Sequence, residues 1–206
     1  MSQYSGLQRL HPPLILASSS AIRLALLQGA GLSVEVRPAS VDEDHAKRTA
    51  RGAGHGPDTT ALLLAGLKAA SVGDADAIVI GADQLLVCDD MWFDKPPDLA
   101  AARDHLLALR GRTHVLHTAV SVHQAGRMIW QHVSRPRLTM LAFSDQKLDA
   151  YLALEAEKIL CSVGAYRLEG PGLQLFAQVE GEHAAILGLP LLALLDFLRG
   201  QGLLLR

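Results

Sequence analysis

The chain has 206 residues, of which 50% are hydrophobic and 19% charged, a balance that excludes an intrinsically disordered protein and allows one well-cored domain or two small lobes. A formal net charge of -2, 4% aromatic residues and no prominent Lys/Arg cluster argue against a nucleic acid polymer as partner. The apolar runs are too short to span a bilayer, and two distant cysteines, Cys88 and Cys161, favour neither a disulfide framework nor a zinc cluster.

The first 13 residues are polar and carry no pattern of their own. They lack the basic and apolar regions of a signal peptide. We therefore predict a flexible leader at residues 1–13, on a cytoplasmic protein that does not insert into a membrane.

The segment Leu14–Leu27 is the most informative stretch of the sequence. It predicts a short buried strand that leads through three serines into an amphipathic helix. Free backbone N–H groups and the positive end of the helix dipole favour a phosphate at such a junction. Ser18, Ser20 and Arg23 add side-chain donors there, although ordinary helix capping by serine accounts for the same pattern.

Strand and helix patterns alternate along the first half of the chain, which predicts an α/β fold. A long antiparallel hairpin follows, with a first strand from Thr113, a turn at 124–126 and a second extended stretch from Met128 to Leu141. The other predicted strands are Ser33–Arg37, Ala77–Gly81, Leu85–Cys88 and Leu173–Val179, and the predicted helices are Ala21–Gly29, Thr59–Ser71, Leu99–Leu109, Ser144–Leu154 and Leu191–Arg199. Arg48–Pro57 is glycine-rich and is predicted to be a flexible surface loop.

Four charged residues lie among apolar neighbours on separate predicted elements: Glu43, Lys68, Asp83 and Lys95. An Asp at the carboxyl end of a buried strand lies where open α/β sheets bind their ligands. Together with the serines and Arg23, these residues surround a predicted anion site with carboxylates and cations. Simpler interpretations remain open, since Lys68 can extend along an apolar helix surface to reach solvent and Asp83 can cap a turn.

A set of ordered sequence blocks resembles the Maf family of nucleoside triphosphate pyrophosphatases. The blocks are LILASSSAIRLALL at 14–27, VDE at 41–43, LAGLKA at 64–69, GADQ at 81–84, KP at 95–96, GRTH at 111–114, VGAYRLEG at 163–170 and GLPL at 188–191. The resemblance covers residues 14–206 as one domain. It implies a Maf/Ham1-like α/β fold, in which helices flank a mixed, twisted central sheet and two lobes enclose an active-site cleft.

The resemblance also implies a reaction and the residues that perform it. Water attacks the α-phosphate of a nucleoside triphosphate. The products are the nucleoside monophosphate and pyrophosphate. Asp83 is the implied catalytic base, and Glu43 with Asp83 is the implied ligand set for Mg²⁺ or Mn²⁺. The implied phosphate-binding residues are Ser18, Ser20, Arg23, Lys68 and Lys95. A homodimer is common in this family and is a further expectation.

Three positions distinguish the branches of this family, and here they hold Ile22, Gln84 and Glu169. Gln84 and Glu169 match the branch that resembles 7-methyl-GTP pyrophosphatases, whereas Ile22 lacks the aromatic face that would stack on a cationic purine. The expected substrate is therefore a modified nucleotide such as 7-methyl-GTP. The alternatives are the same reaction on dTTP or UTP, and a non-catalytic protein that binds a nucleotide or a cell-division partner.

Overall fold

The computed structural model describes residues 4–205, and the chain forms two compact units. The first unit comprises Met1–Asp83, Thr118–Ser134 and Gly188–Arg206, and the second comprises Gln84–His117 and Arg135–Leu187. The first contains β1 (Tyr4–Ser5), β2 (Gln8–Arg9), β3 (Leu14–Leu16), α1 (Ala21–Gly29), β4 (Val34–Val36), α2 (Glu43–Gly52), α3 (Pro57–Val72), β8 (Arg127–Ser134) and α7 (Leu191–Gly200). The second contains β6 (Met91–Phe93), α4 (Leu99–Leu109), β9 (Arg137–Met140), α5 (Asp145–Glu155), β10 (Phe176–Glu180), α6 (His183–Ile186) and 3₁₀ segments at Ala156–Cys161, Val163–Ala165 and Pro171–Leu175. Two strands, β5 (Ile78–Cys88) and β7 (Thr113–Gln124), have residues in both.

In the first unit, strand β3 is hydrogen-bonded on both sides to parallel strands. Leu14 pairs with Val34 of β4 and with Ile78 of β5. All three residues of β3 are buried, as expected for parallel strands that helices cover on both faces. The prediction of a short buried strand before the serines is confirmed.

The predicted hairpin is present, but its second strand has a break that the sequence did not predict. Gln124 pairs with Arg127 across a two-residue turn, in which Ala125 and Gly126 both have positive φ, as in the turns that match the twist of a hairpin. The single extended stretch predicted from Met128 to Leu141 is instead two strands, β8 and β9, separated at residues 135–136. Proline has no N–H to donate to a strand ladder, so Pro136 is the physical reason for the break.

The second unit contains further antiparallel pairs. The end of β5 pairs with β6, the start of β7 pairs with β9, and β9 pairs with β10. Parallel pairs in the first unit and antiparallel pairs in both make the sheet mixed, which confirms the predicted mixed α/β class. No helix among residues 4–205 combines the length and apolar composition needed to cross a bilayer.

Each unit has a hydrophobic core of its own. In the first, leucine and isoleucine side chains of β3 and β5 pack against those of α1 and α7, including Leu14, Leu27, Ile80 and Leu198. In the second, α4 and α5 pack against strand residues, including Leu86, Leu106 and Leu148. Buried leucine and isoleucine side chains contribute about 1.5–3 kcal/mol each, so both cores stabilise the fold.

The segment for which the sequence predicts a flexible leader contains a short hairpin, β1 paired with β2. Gln8 is buried, and its side chain exchanges hydrogen bonds with the backbone N–H and C=O of Ser33. The N–H of Arg9 donates to the carbonyl of Leu203 at 2.8 Å. Residues 1–3 lie outside the described part of the chain.

Helix boundaries follow the capping residues. Ser20 and Asp98 accept hydrogen bonds from the third residue of α1 and α4, and both helices have the bounds that the sequence predicts. The predicted loop Arg48–Pro57 is wrong in its first half, because residues 48–52 belong to α2. Asp42 caps that helix, which runs through several residues of good helix propensity before the glycines begin.

His114 predicts a pH dependence of stability. Its Nε2 lies 2.9 Å from the hydroxyl of Tyr166, and burial lowers the pKa of His114 to about 4 from 6.5. Protonation below pH 6.5 therefore favours the unfolded chain, and this part of the stability, present above pH 6.5, is lost as the pH falls toward 4. We expect the loss to reach about 3 kcal/mol.

The test is urea unfolding of the wild type and of His114→Gln between pH 7 and pH 4. Glutamine keeps a polar group for Tyr166 and cannot titrate, so the variant should lose less stability on acidification. Equal losses in the two proteins would contradict the assignment.

Candidate functional site

The loop between β3 and α1 forms a compact hydrogen-bonded junction. Ser20 is the N-cap of α1, and its hydroxyl accepts from the N–H of Arg23 at 3.3 Å. The hydroxyl oxygen of Ser18, which is buried, accepts from the N–H of Ser20 at 3.2 Å and from Nη1 of Arg23 at 3.3 Å. The capping interpretation is thus correct for Ser20. Each hydroxyl acts only as an acceptor in these bonds, which do not use its O–H donor.

Arg23 points back toward the protein backbone. Its Nε donates to the carbonyl of Gly188 at 2.8 Å, and its Nη1 donates to the carbonyl of Ala82 at 2.9 Å. Burial lowers the pKa of Arg23, and the negative charges of Asp83 and Glu43 oppose that shift. The charges of both carboxylates therefore act on a guanidinium whose hydrogen bonds go to neutral acceptors.

Three charged side chains from three different elements meet in the first unit. The ammonium of Lys68, on α3, lies 2.6 Å from Oδ1 of Asp83, on β5, and 2.8 Å from Oε2 of Glu43, the first residue of α2. The side chains of Lys68 and Asp83 are 9% and 8% exposed, whereas that of Glu43 is 50% exposed. One cation thus joins a buried carboxylate to one that reaches solvent.

A close contact between α3 and β5 sets this geometry. A Cβ added to Gly81 would lie 2.1 Å from the carbonyl oxygen of Ala65 and 2.8 Å from the backbone nitrogen of Ala69. Only glycine permits helix and strand to approach so closely. Side chains three or four residues apart share a helix face, and those two apart share a strand face, so this contact brings Lys68 toward Asp83.

The buried ion pair is costly to break. Desolvation of both charges offsets much of their attraction, but removal of one partner from a buried pair typically destabilises a protein by about 3–5 kcal/mol. Removal of either Lys68 or Asp83 would therefore leave the other as an unpaired buried charge. The interpretations of Lys68 as a chain reaching for solvent and of Asp83 as a turn cap do not match this geometry.

Gln84 and Lys95 belong to the second unit. Nε2 of Gln84 donates to the carbonyls of Ala185 at 3.1 Å and Ile186 at 3.0 Å, at the end of α6. Successive strand residues point to opposite faces, so Gln84 and the preceding Asp83 point in opposite directions. Lys95, two residues after β6, is exposed.

Glu169 is part of a charged row in the second unit. Its Oε1 accepts from Nε of Arg167 at 3.0 Å, and Nη1 of Arg167 donates to Oε2 of Glu155 at 3.1 Å. The hydrogen bond to Glu169 raises the pKa of Arg167. Glu155 is almost completely buried, at 4% side-chain exposure, whereas Glu169 is 27% exposed.

The structure therefore groups some predicted residues and leaves others in separate surroundings. Within the first unit, Glu43, Lys68 and Asp83 form one cluster, and Ser18, Ser20 and Arg23 form a second, with Ile22 half-buried on α1. Arg167, which contacts Glu169, and Glu155, which contacts Arg167, were not predicted from the sequence. The pairing of Arg167 with Glu169 could have been predicted, because Arg167 lies in the block VGAYRLEG two residues before Glu169.

The cation that the carboxylates share indicates where a metal ion would fit. Among residues 4–205, no three His, Cys, Asp or Glu side chains cluster as a metal site. Glu43 and Asp83 supply two carboxylate oxygens within 2.8 Å of one positively charged atom. Hard divalent cations such as Mg²⁺ use one or two carboxylates and complete their shell with water and phosphate oxygens, so this pair is a suitable donor set.

Comparison with known proteins identifies relatives along nearly the whole chain. The sequence profile of the family described as Maf-like protein matches residues 13–201. A protein of Granulibacter bethesdensis named nucleoside triphosphate pyrophosphatase is 52% identical over 188 residues, which cover 90% of this chain and 95% of that protein. A protein of Rhizobium johnstonii named 7-methyl-GTP pyrophosphatase is 46% identical over 193 residues, covering 93% and 97%.

The close approach at Gly81 generates a prediction. Gly81→Ala places a methyl group against backbone atoms of α3 that cannot move independently. We expect this variant to lose about 1–3 kcal/mol of stability, or more. Gly29→Ala is the matched control, because Gly29 ends α1 and an added Cβ there meets nothing within 4 Å.

Urea unfolding monitored by circular dichroism measures both variants. The midpoint of Gly81→Ala should fall clearly below that of the wild type, and the midpoint of Gly29→Ala should stay the same or rise. Similar midpoints for the two variants would show that the helix is not held against the strand at Gly81.

Proposed function

Because this chain belongs to the Maf-like protein family, we propose that it hydrolyses a nucleoside triphosphate to the nucleoside monophosphate and pyrophosphate. The observation that carries the proposal is the cluster of Glu43, Lys68 and Asp83, with N–O distances of 2.6 and 2.8 Å. Carboxylates and cations in one site suit phosphoryl transfer, which depends on positioning and on charge stabilisation. The names of the relatives at 52% and 46% identity support the same reaction.

Asp83 is the proposed general base. Its carboxylate takes a proton from water as the water oxygen attacks the α-phosphorus. The bond between that phosphorus and the oxygen that bridges to the β-phosphate breaks, and the pair of electrons leaves with pyrophosphate. Lys68 holds Oδ1 of Asp83 at 2.6 Å, which orients the carboxylate and compensates its charge in a buried place.

The proposed phosphate ligands are cations and hydroxyls. A nucleoside triphosphate brings roughly four negative charges that the site must neutralise. Lys68 and the exposed Lys95 supply positive charge. Ser18 and Ser20 supply hydroxyl donors beside the positive end of the α1 dipole.

We also propose that Glu43 and Asp83 hold a divalent metal ion, Mg²⁺ or Mn²⁺. Such an ion supplies charge neutralisation for the phosphate oxygens and lowers the pKa of bound water. Glu43 suits this role because its side chain is half-exposed and therefore accessible to an incoming ion with its water shell. Since nucleoside triphosphates are intracellular metabolites, the proposed location is the cytoplasm.

The proposed substrate is a modified purine nucleotide such as 7-methyl-GTP. The carboxylate of Glu169 can accept from the N1–H and amino groups of guanine, and a negative charge favours a base that methylation makes positive. One relative with this specificity in its name is 46% identical. The second candidate is dTTP or UTP, which the Arg167–Glu169 pair favours, because Arg167 already compensates the charge of Glu169.

A nucleotide panel tests the function directly. Purified protein is incubated with 7-methyl-GTP, GTP, dTTP and UTP, each with Mg²⁺ or Mn²⁺, and pyrophosphate release is measured. Release from 7-methyl-GTP at the highest kcat/KM supports the first proposal, and release from dTTP or UTP supports the second. No release from any nucleotide would favour a non-catalytic binding protein.

The first prediction from the proposed function concerns Asp83. Asp83→Asn retains the shape of the side chain and an oxygen for Lys68, but an amide cannot accept the proton. We expect kcat to fall by at least a factor on the order of 10², with an unchanged circular dichroism spectrum. The matched control is Asp196→Asn, because Asp196 is 81% exposed in the same unit. Turnover near the wild-type rate in Asp83→Asn would contradict the role.

The second prediction concerns Glu169 and the choice of base. Glu169→Gln replaces a charged acceptor by a neutral group that also donates, so the purine edge meets a weaker acceptor. The ratio of kcat/KM for 7-methyl-GTP to kcat/KM for dTTP should fall by a factor on the order of ten. Glu157→Gln, at an exposed position, is the control and should leave the ratio unchanged. An unchanged ratio in Glu169→Gln would remove Glu169 from base selection.

A further inference from the structure

Arg23 uses most of its donors on the protein itself. A guanidinium has five N–H donors. Three hydrogen bonds join Nε and Nη1 of Arg23 to the carbonyl of Gly188, the carbonyl of Ala82 and the hydroxyl of Ser18. Nη2 takes no part in these three bonds. An arginine that serves mainly as an anion ligand directs its planar fork at the anion, and here the fork is directed at backbone.

The backbone at Gly188 is built against the guanidinium. Gly188 has φ +106, and a Cβ added there would lie 3.3 Å from Nε and 3.5 Å from Nη2 of Arg23. Glycine thus lets the main chain approach the flat group closely enough to give its carbonyl to Nε at 2.8 Å. The guanidinium of Arg23 and the backbone of Gly188 therefore pack closely against each other.

The second carbonyl bound by Arg23 is adjacent to the proposed catalytic base. Ala82 immediately precedes Asp83 on β5, so the bond at 2.9 Å from Nη1 restrains the peptide unit that carries Asp83. Lys68 restrains the carboxylate end of the same residue at 2.6 Å. One cation therefore holds the side chain of Asp83, and another holds its main chain.

We propose that Arg23 is a positioning residue, which fixes the backbone of Ala82–Asp83 to that of Gly188, and that it acts on the reaction through Asp83 rather than as a ligand of the triphosphate. This inference rests on the proposed function, since it takes Asp83 as the catalytic base. The two roles differ in a measurable way. A positioning residue changes the rate of the chemical step, whereas a phosphate ligand changes binding as well.

The experiment separates binding from chemistry with Arg23→Lys. Lysine keeps the positive charge, but its single nitrogen cannot replace Nε and Nη1 at two carbonyls. We expect kcat to fall by a factor on the order of 10², the loss typical of a small misplacement of a reacting group. Binding is measured by calorimetry in the Asp83→Asn background, where we expect turnover to be slower by a factor on the order of 10² or more, with the nucleotide that the wild type cleaves fastest. There, Arg23→Lys should change Kd by less than about twofold.

A second pair of variants tests the inference without altering Arg23. Gly188→Ala pushes a methyl group against the guanidinium, whereas Gly202→Ala, also at a positive φ of +69, meets nothing within 4 Å. Both substitutions carry the backbone strain of a left-handed conformation, and only the first disturbs Arg23. Gly188→Ala should lower kcat with little change in Kd, and Gly202→Ala should retain the wild-type kcat. Arg37→Lys, on an exposed ion pair, controls for the chemical change itself.

Two results would overturn the inference. One is an Arg23→Lys protein that keeps the wild-type kcat, and the other is a loss of nucleotide affinity of about tenfold or more in the Asp83→Asn background, which is the signature of a phosphate ligand. Failure of the proposed function is distinct, because it appears as a wild type that releases no pyrophosphate. In that case hydrogen exchange still tests the contact. Faster exchange in Arg23→Lys at residues 80–84 and 187–190 supports it, and unchanged exchange refutes it.

Discussion

The contact between α3 and β5 at Gly81 is the constraint on which the site depends. It fixes the distance between a helix and a strand to a value that no side chain at Gly81 would permit. Ala65, Lys68 and Ala69 share the helix face that meets the strand, and Gly81 and Asp83 share the strand face that meets the helix. Close packing at Gly81 therefore brings Lys68 and Asp83 together in a salt bridge of 2.6 Å. Gly81, which has no side chain, thus determines where the charges lie.

That arrangement explains why a buried ion pair is present although such pairs contribute little net stability. The desolvation of two buried charges typically offsets much of their attraction. The arrangement instead gives a carboxylate with a fixed orientation in a buried environment, where electrostatic effects on a reacting group are largest. Glu43, half-exposed at 2.8 Å from the same ammonium, connects this environment to solvent.

The sequence predicted the elements well where local signals decide them. Ser20 and Asp98 define the first turns of α1 and α4, and both helices have the predicted bounds. The prediction failed at β5, where the strands Ala77–Gly81 and Leu85–Cys88 are one continuous strand. Rules that use only neighbouring residues predict that a strand ends at an Asp between apolar residues. Here the strand continues, because Lys68, which is distant in sequence, pairs with the buried carboxylate of Asp83. Tertiary partners of this kind have no local sequence signal.

The same limit applies to the site residues. Charged residues among apolar neighbours are unusual, and this rule selected Glu43, Lys68 and Asp83, which form one cluster. It also selected Lys95, which belongs to the second unit. The partners of Arg23 and Gln84 could not be predicted, because these partners are backbone carbonyls and a carbonyl is present at every residue. A sequence motif can therefore include such positions without indicating whether their side chains reach a ligand or hold the main chain.

Gln84 shows what this distinction means for specificity. Its amide group holds the carbonyls of Ala185 and Ile186, so a threonine at this position, too short for both bonds, would release the end of α6. In the proposed function, a change at position 84 would then act on the nucleotide through backbone placement, whereas a change at Glu169 would act through charge. Glu169 is itself balanced by Arg167, which the buried Glu155 holds in place. In the proposed function, the preference for a cationic or a neutral base therefore depends on how Arg167 divides its charge between Glu169 and Glu155, the second of which is almost completely buried.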